Sequence, residues 1–176
     1  MQKFLKVVLW VAIALVAVLN VCIILGMRAP REHVVSRSVV LNQPPAKVWQ
    51  VLTDYASQPQ WRPDVKSVKR LPDMNGMEVW REDYKMGGGE TLVTEQWVPP
   101  SYLVRTIADE NGPVQGSWEF RIEPAGAGVS RVTIVEHGSV SNPLWRFVSA
   151  YVYRYRYIDD FLKQLGAKFG EKVAVT

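Results

Sequence analysis

The sequence predicts an α+β domain, an antiparallel sheet of about seven strands packed on a long C-terminal helix, carried behind an N-terminal membrane-spanning helix. Three patterns predict it. Val7 to Met27 holds no charge and only Asn20 as a strongly polar side chain. A strand and two short helical turns then precede six successive strand patterns joined by short turns. Finally, an apolar seam recurs at alternating spacings of four and three from Leu144 to Phe169.

At ~1.5 Å rise per residue the first stretch reaches about 31 Å as a helix, matching the ~30 Å hydrocarbon core of a bilayer. A cleaved secretory signal is the competing reading, because Lys3 and Lys6 precede the apolar run. Its small-x-small pair, Ala12-Ile13-Ala14, falls too early, and Gly26-Met27-Arg28-Ala29-Pro30 offers no cleavage pattern of that kind. Bulky Val21 before Cys22 argues against a lipoprotein signal. Lys3 and Lys6 before the span nearly balance Arg28, Arg31 and Arg37 after it. The short basic tail favours a cytoplasmic N-terminus, with the domain on the exported, periplasmic side of a bacterial inner membrane.

Lys3, Lys6, Arg28 and Arg31 account for the formal net charge of +4, so residues 32–176 are neutral. A neutral domain lacks the electrostatic footprint of a nucleic-acid binder, and no nucleic-acid partner is expected. The single cysteine, Cys22, lies in the apolar run, which excludes a disulfide framework, thiolate catalysis and cysteine metal sites from the rest. The organisation reads as a basic tail (1–6), the span (7–27), a linker (28–33), one domain (34–172) and a tail (173–176).

Val34–Leu41 is β-branched and half alternating, and Gln43-Pro44-Pro45 ends it. Val48, Val51, Leu52 and Tyr55 share a helical face whose first turn accommodates proline. Ser57–Trp61 forms a second short turn that Arg62-Pro63 terminates. Strands follow at Val65–Leu71, Met77–Lys85, Glu90–Val98, Tyr102–Ala108, Val114–Ile122 and Ser130–Gly138. Asn75-Gly76 and Asn111-Gly112 are hairpin signals, Pro99-Pro100 breaks another pair, and Pro124–Gly128 closes the last. Beyond Asn142-Pro143, Leu144, Val148, Tyr151, Tyr155, Ile158, Leu162, Leu165 and Phe169 form the seam of one continuous helix.

Pro45-Ala46-Lys47-Val48-Trp49-Gln50-Val51-Leu52-Thr53-Asp54-Tyr55, followed by Trp61-Arg62-Pro63-Asp64-Val65, resembles the first helix and second-strand start of the START-like superfamily, also called SRPBCC, which includes polyketide cyclase/dehydrase-like and lipid-binding proteins. The resemblance covers about Val34 to Glu171. It implies a helix-grip fold, in which a curved sheet wraps the long helix, and a hydrophobic small-molecule or lipid ligand between them. It permits a cyclase or dehydratase activity.

Trp118, Phe120 and Ile122 share one face of their strand, and Ser117, Glu119 and Arg121 the other. Charged residues on inward parity are more telling, because a buried charge is costly unless paired. Glu82 lies between Trp80 and Tyr84, Arg105 between Leu103 and Ile107, and Glu136 follows Val132 and Ile134. They either orient the polar end of a ligand or pair structurally with each other. The candidate cavity residues are thus Glu82, Arg105, Trp118, Phe120 and Glu136, with Tyr151 and Tyr155 from the seam. Tyr153 and Tyr157 are expected near a rim or the membrane.

His33 falls in the linker, and His137 points away from its neighbour Glu136 along a strand. Ser139 and Ser141 lack a Gly-x-Ser-x-Gly elbow. Gly87-Gly88-Gly89 lies between strands with no helix behind it, so it reads as a bend and not a phosphate cradle. No catalytic constellation, metal site or cofactor is expected. The reading is a membrane-anchored binder or carrier of a hydrophobic molecule or lipid, with a cyclase/dehydratase-type enzyme and a ligand-free interaction module as alternatives.

Overall fold

The computed structural model describes residues 1–109, 112 and 114–176. Helix α1 (Gln2–Arg28) opens the chain, long and apolar enough to cross a membrane. The one strongly polar side chain within Val7–Met27 is satisfied internally, Asn20 Nδ2 donating to the Val16 carbonyl at 2.8 Å. β1 (Glu32–Leu41) follows almost at once. Then come α2 (Pro45–Thr53) and a 3-10 turn (Tyr55–Gln60).

Six further strands run in sequence: β2 (Val65–Met74), β3 (Met77–Tyr84), β4 (Gly89–Val98), β5 (Tyr102–Ile107), β6 (Val114–Gly126) and β7 (Val129–Val140). All seven strands join one antiparallel sheet in the order β1-β7-β6-β5-β4-β3-β2. The β2–β3 hairpin turns on Asn75 (φ 52°) and Gly76 (φ 78°), the left-handed pair that its twist demands. Gly87 (φ 95°) and Gly88 (φ 77°) bend the chain between β3 and β4, as the glycine run suggested. Asn111, half of the other turn signal, lies outside the described residues.

The C-terminal segment departs from the single helix that its periodicity predicts. It comprises a short helix α3 (Pro143–Phe147), a π turn (Val148–Val152) and, after a break at Tyr153–Tyr155, helix α4 (Arg156–Lys168). Only α4 is gripped by the sheet. Ile158, Leu162 and Leu165 are fully buried against Val35, Val39, Phe120, Ile122, Val132 and Ile134, with Val48 and Leu52 of α2 closing one end. The first piece packs on α1 instead, and Leu144 and Tyr151 leave the seam for the surface. A four-three spacing continues through both pieces because each is helical; the competing partner, α1, is invisible to that spacing.

The last residues fold back onto the domain. Ser38 and Thr176 exchange backbone hydrogen bonds at 2.8 and 3.0 Å, covering part of the free edge of β1. Glu171 accepts from the Asn42 backbone and side chain and from Gln43, tying the chain end to the start of α2.

Candidate functional site

Between the inner face of the sheet and α4 lies a small cavity of about 20 Å³, room for little more than one water. Apolar walls come from Leu52, Leu92, Leu103, Phe120, Ile134 and Phe161, with Trp118 and Tyr157 packed together at 5.4 Å between ring centres.

Three charged side chains reach this interior. Glu82 (β3) is completely buried, and Arg62 and Arg105 (β5) are 2% and 4% exposed. One carboxylate oxygen of Glu82 accepts from Arg105 Nη1 at 2.6 Å, and the other accepts from Arg62 Nη1 at 2.8 Å. Local chain geometry places Arg62. The 3-10 turn ends with the Arg62 backbone N–H donating to the Gln58 carbonyl at 2.8 Å, and Gln58 Oε1 accepts from Arg62 Nη1 at 2.8 Å. Pro63 cannot extend that turn, so the chain passes directly into β2. Arg62 Nη2 reaches Asp64 at 3.3 Å on the solvent side and the Tyr157 hydroxyl at 3.5 Å.

The two arginines differ in how well they are satisfied. Arg62 has Glu82, Gln58, Asp64 and Tyr157 around it, leaving only Nε unpartnered. Arg105 has Glu82 alone; its guanidinium stacks 4.1 Å above the Tyr55 ring, and both Nε and Nη2 are buried without a protein partner. Guanidinium is always protonated in proteins, so the charged residues lining the cavity carry one positive charge in excess. Burial opposes ionisation of Glu82, but attraction to Arg105 and Arg62 outweighs it and holds the carboxyl below its ordinary range. Glu82 is therefore an acceptor at neutral pH.

Tyrosines surround this cluster with their protons retained. Burial raises Tyr55, Tyr84 and Tyr157 above the usual phenol range. Burial likewise raises Glu90, whose carboxyl accepts from the Tyr84 hydroxyl at 3.1 Å. A second, open groove shares Arg62, Tyr157 and Phe161 with the cavity and adds Met86, Tyr153 and Arg156, so it forms a vestibule outside the same wall.

The structure brings Glu82, Arg105, Trp118 and Phe120 together around the cavity. Glu136 shares the inner face of the sheet with Trp118 but does not line the cavity, accepting from Trp118 Nε1 at 3.3 Å and meeting His33 Nε2 at 3.0 Å. Tyr155 is half-buried outside the cavity, covered by the Arg37 guanidinium 3.7 Å above its ring. Tyr151 is 59% exposed beside α1, because the helix break turns it away from the sheet. Tyr157, expected at a rim, is instead a cavity wall, since that break rotates α4 relative to the segment before it. His33 is not in a loose linker: β1 starts one residue earlier and orders it. Sequence reasoning placed Tyr55 on an apolar helical face without a cavity role, and it missed Arg62 and Gln58. They sit on a 3-10 turn and in a loop, where no periodicity reports which side chains point inward; the one signal was an arginine placed between Trp61 and Pro63.

Residues 32–170 match the family "Polyketide cyclase / dehydrase and lipid transport", and the chain belongs to that family. No curated protein matches it. Among solved structures it is similar to a START superfamily protein from Mycobacterium smegmatis (18% identity, 77% of this chain and 96% of that one, TM-score 0.61). It is also similar to the Zhui aromatase/cyclase from Streptomyces sp. R1128 (17% identity, 78% and 93%, TM-score 0.63). A third is the di-domain ARO/CYC BexL from the BE-7585A biosynthetic pathway (14% identity, 81% of this chain and 50% of that one, TM-score 0.63). At these identities the similarity establishes the helix-grip fold.

Proposed function

We propose that this protein is a membrane-tethered START-like domain that binds a hydrophobic small molecule carrying one anionic or strongly accepting oxygen group. The observation that carries this reading is Arg105, a 4% exposed guanidinium in an apolar cavity with two unpartnered donors and half a share of one carboxylate. Each such donor buried without an acceptor costs about 1–3 kcal/mol, which a carboxylate, enolate or carbonyl oxygen would relieve. Apolar walls would take the remainder of the molecule. Binding over proton transfer is favoured because Glu82, held ionised below its ordinary range between two arginines, has no proton to give and is a weakened base.

The closed cavity is smaller than the ~300–1,000 Å³ typical of a ligand pocket, so binding requires the interior to widen. Tyr157 and Phe161, shared with the outer groove, form the wall whose displacement would join the two spaces. In this reading α1 spans the bilayer with the domain on the exported side, and the tether raises the local concentration of a membrane-dissolved ligand.

The test is to purify the full chain and its Arg105→Met variant in bilayer nanodiscs and analyse what each retains by native mass spectrometry, alongside uptake of a fluorescent fatty acid. A stoichiometric acidic or carbonyl-bearing molecule on the wild type, lost from the variant, is the expected result. No retained molecule and no uptake by the wild type would refute the reading.

A further inference from the structure

Among the described residues, a run of exposed apolar side chains outside α1 lies on α3, the π turn and the bend that follows. Leu144 is 36% exposed, Trp145 55%, Tyr151 59%, Val152 53% and Tyr153 51%. This segment is clamped to the end of the apolar helix. Gly26 meets α3 so closely that a Cβ there would lie 1.8 Å from the Pro143 carbonyl oxygen. Arg146, only 6% exposed, donates to the carbonyls of Gly26 at 3.3 Å and Ala29 at 3.5 Å. From the same guanidinium it also holds the Val140 carbonyl at 3.0 Å and the Ser141 carbonyl at 2.8 Å. One buried cation thus satisfies carbonyls that the end of α1 leaves open and fixes α3 against it.

That clamp sets a depth. Gly26 is one residue from Met27, the end of the uncharged run, which is ~1.5 Å along the helix axis. Cys22, Ile23 and Leu25, in the same final turns, are partly covered while most of α1 is bare. If Val7–Met27 crosses the hydrocarbon core, α3 lies at the boundary between acyl chains and headgroups. Interfacial helices typically insert ~5–10 Å into that zone, with aromatic residues at headgroup level. The neighbouring charges fit as well: Arg28 and Arg31 follow the span, and Arg154 lies with Ala29, Pro30 and Tyr151 around the same junction. Basic residues beside an apolar segment suit an anionic membrane surface.

We propose that Leu144–Tyr153 is a second membrane contact, lying in the headgroup interface of an anionic bilayer beside the end of α1. This rests on α1 spanning the membrane. Its consequence is that the domain is held in one orientation on the bilayer, with the break at Tyr153–Tyr155 joining the membrane-contact segment to α4, whose Tyr157 walls the cavity.

The test is spin-label depth measurement on the full chain in vesicles of phosphatidylcholine and phosphatidylglycerol. In a Cys22→Ser background, single labels are placed through Trp145→Cys and Tyr151→Cys, with Leu15→Cys as the mid-span reference and Gln96→Cys as the aqueous one. The expected result is that labels at 145 and 151 shift toward oxygen and away from a water-soluble nickel chelate, to values between the two references. Aqueous values at both positions while Leu15→Cys reads deep would overturn this proposal and leave the span intact. An aqueous Leu15→Cys would overturn the span and the proposal with it. Labels at 145 and 151 shielded from both oxygen and nickel would assign the patch to a protein partner or second copy and also overturn it.

Discussion

Replacing Glu82 should cost far more than replacing Arg105, although the two form the same 2.6 Å contact. Glu82→Gln leaves the buried Arg105 with no counter-ion and the buried Arg62 with only the solvent-exposed Asp64 at 3.3 Å, and breaking a buried pair in this way costs about 3–5 kcal/mol. Arg105→Met removes one charge-assisted hydrogen bond, about 1.5–3 kcal/mol, but leaves Glu82 paired with Arg62 at 2.8 Å. It also removes two unpartnered buried donors, whose burial costs about 1–3 kcal/mol each. The net loss is therefore at most about 1 kcal/mol. For a domain of this size Tm moves roughly 2–4 °C per kcal/mol, so Glu82→Gln should lower it by on the order of 10 °C and Arg105→Met by no more than about 4 °C. Thermal melts of the full chain in detergent, followed by near-ultraviolet circular dichroism, measure both. The pH dependence supplies a second check. Because the folded pKa of Glu82 is depressed, its stabilisation is present above the unfolded value of about 4.3 and is lost as pH falls through the folded value. The Glu82→Gln deficit should accordingly shrink in acid. Equal losses in the two variants, or a deficit independent of pH, would refute the account of an over-positive buried cluster.

Glu90 should behave in the opposite sense. Its folded pKa is raised, so its contribution to stability is present below the unfolded value and is lost as pH rises through the folded one. Glu90→Gln, which retains an acceptor for Tyr84, should stabilise the protein at neutral pH and lose that advantage in acid; chemical denaturation at the two pH values checks it. Gly26→Ala should separate α1 from α3 by colliding with the Pro143 carbonyl, and the expected result is several-fold faster tryptic cleavage at Arg28 or Arg31 with an unchanged melt of the domain. An export-dependent reporter fused after Thr176 should be active if the domain is on the exported side, and a cytoplasm-dependent one inactive. The reverse pattern would reject that orientation.

Much of this architecture was legible because it depends on local periodicity. Strands alternate, hairpins need left-handed residues at Asn75 and Gly76, and the seam of Ile158, Leu162 and Leu165 reports a helix with one buried face. Inward parity also picked out Glu82 and Arg105 as costly charges. Arg62 escaped because a 3-10 turn followed by proline has no repeating face. Tyr151 and Tyr157 exchanged their expected places for a different reason: both lie on helical spacing, but a break between them changes which surface each half sees.

From the sequence alone come the long apolar helix, the order of strands and helices, the neutral domain and the family resemblance, since these rest on composition and on contacts between near neighbours. Tertiary structure alone decided that two arginines converge on one glutamate from a turn and a strand far apart in the chain, that Arg105 is left with spare donors, and that Arg146 clasps the end of α1. Burial and pairing of a charge depend on what long-range folding brings beside it, and no spacing within a single strand or helix encodes that partner.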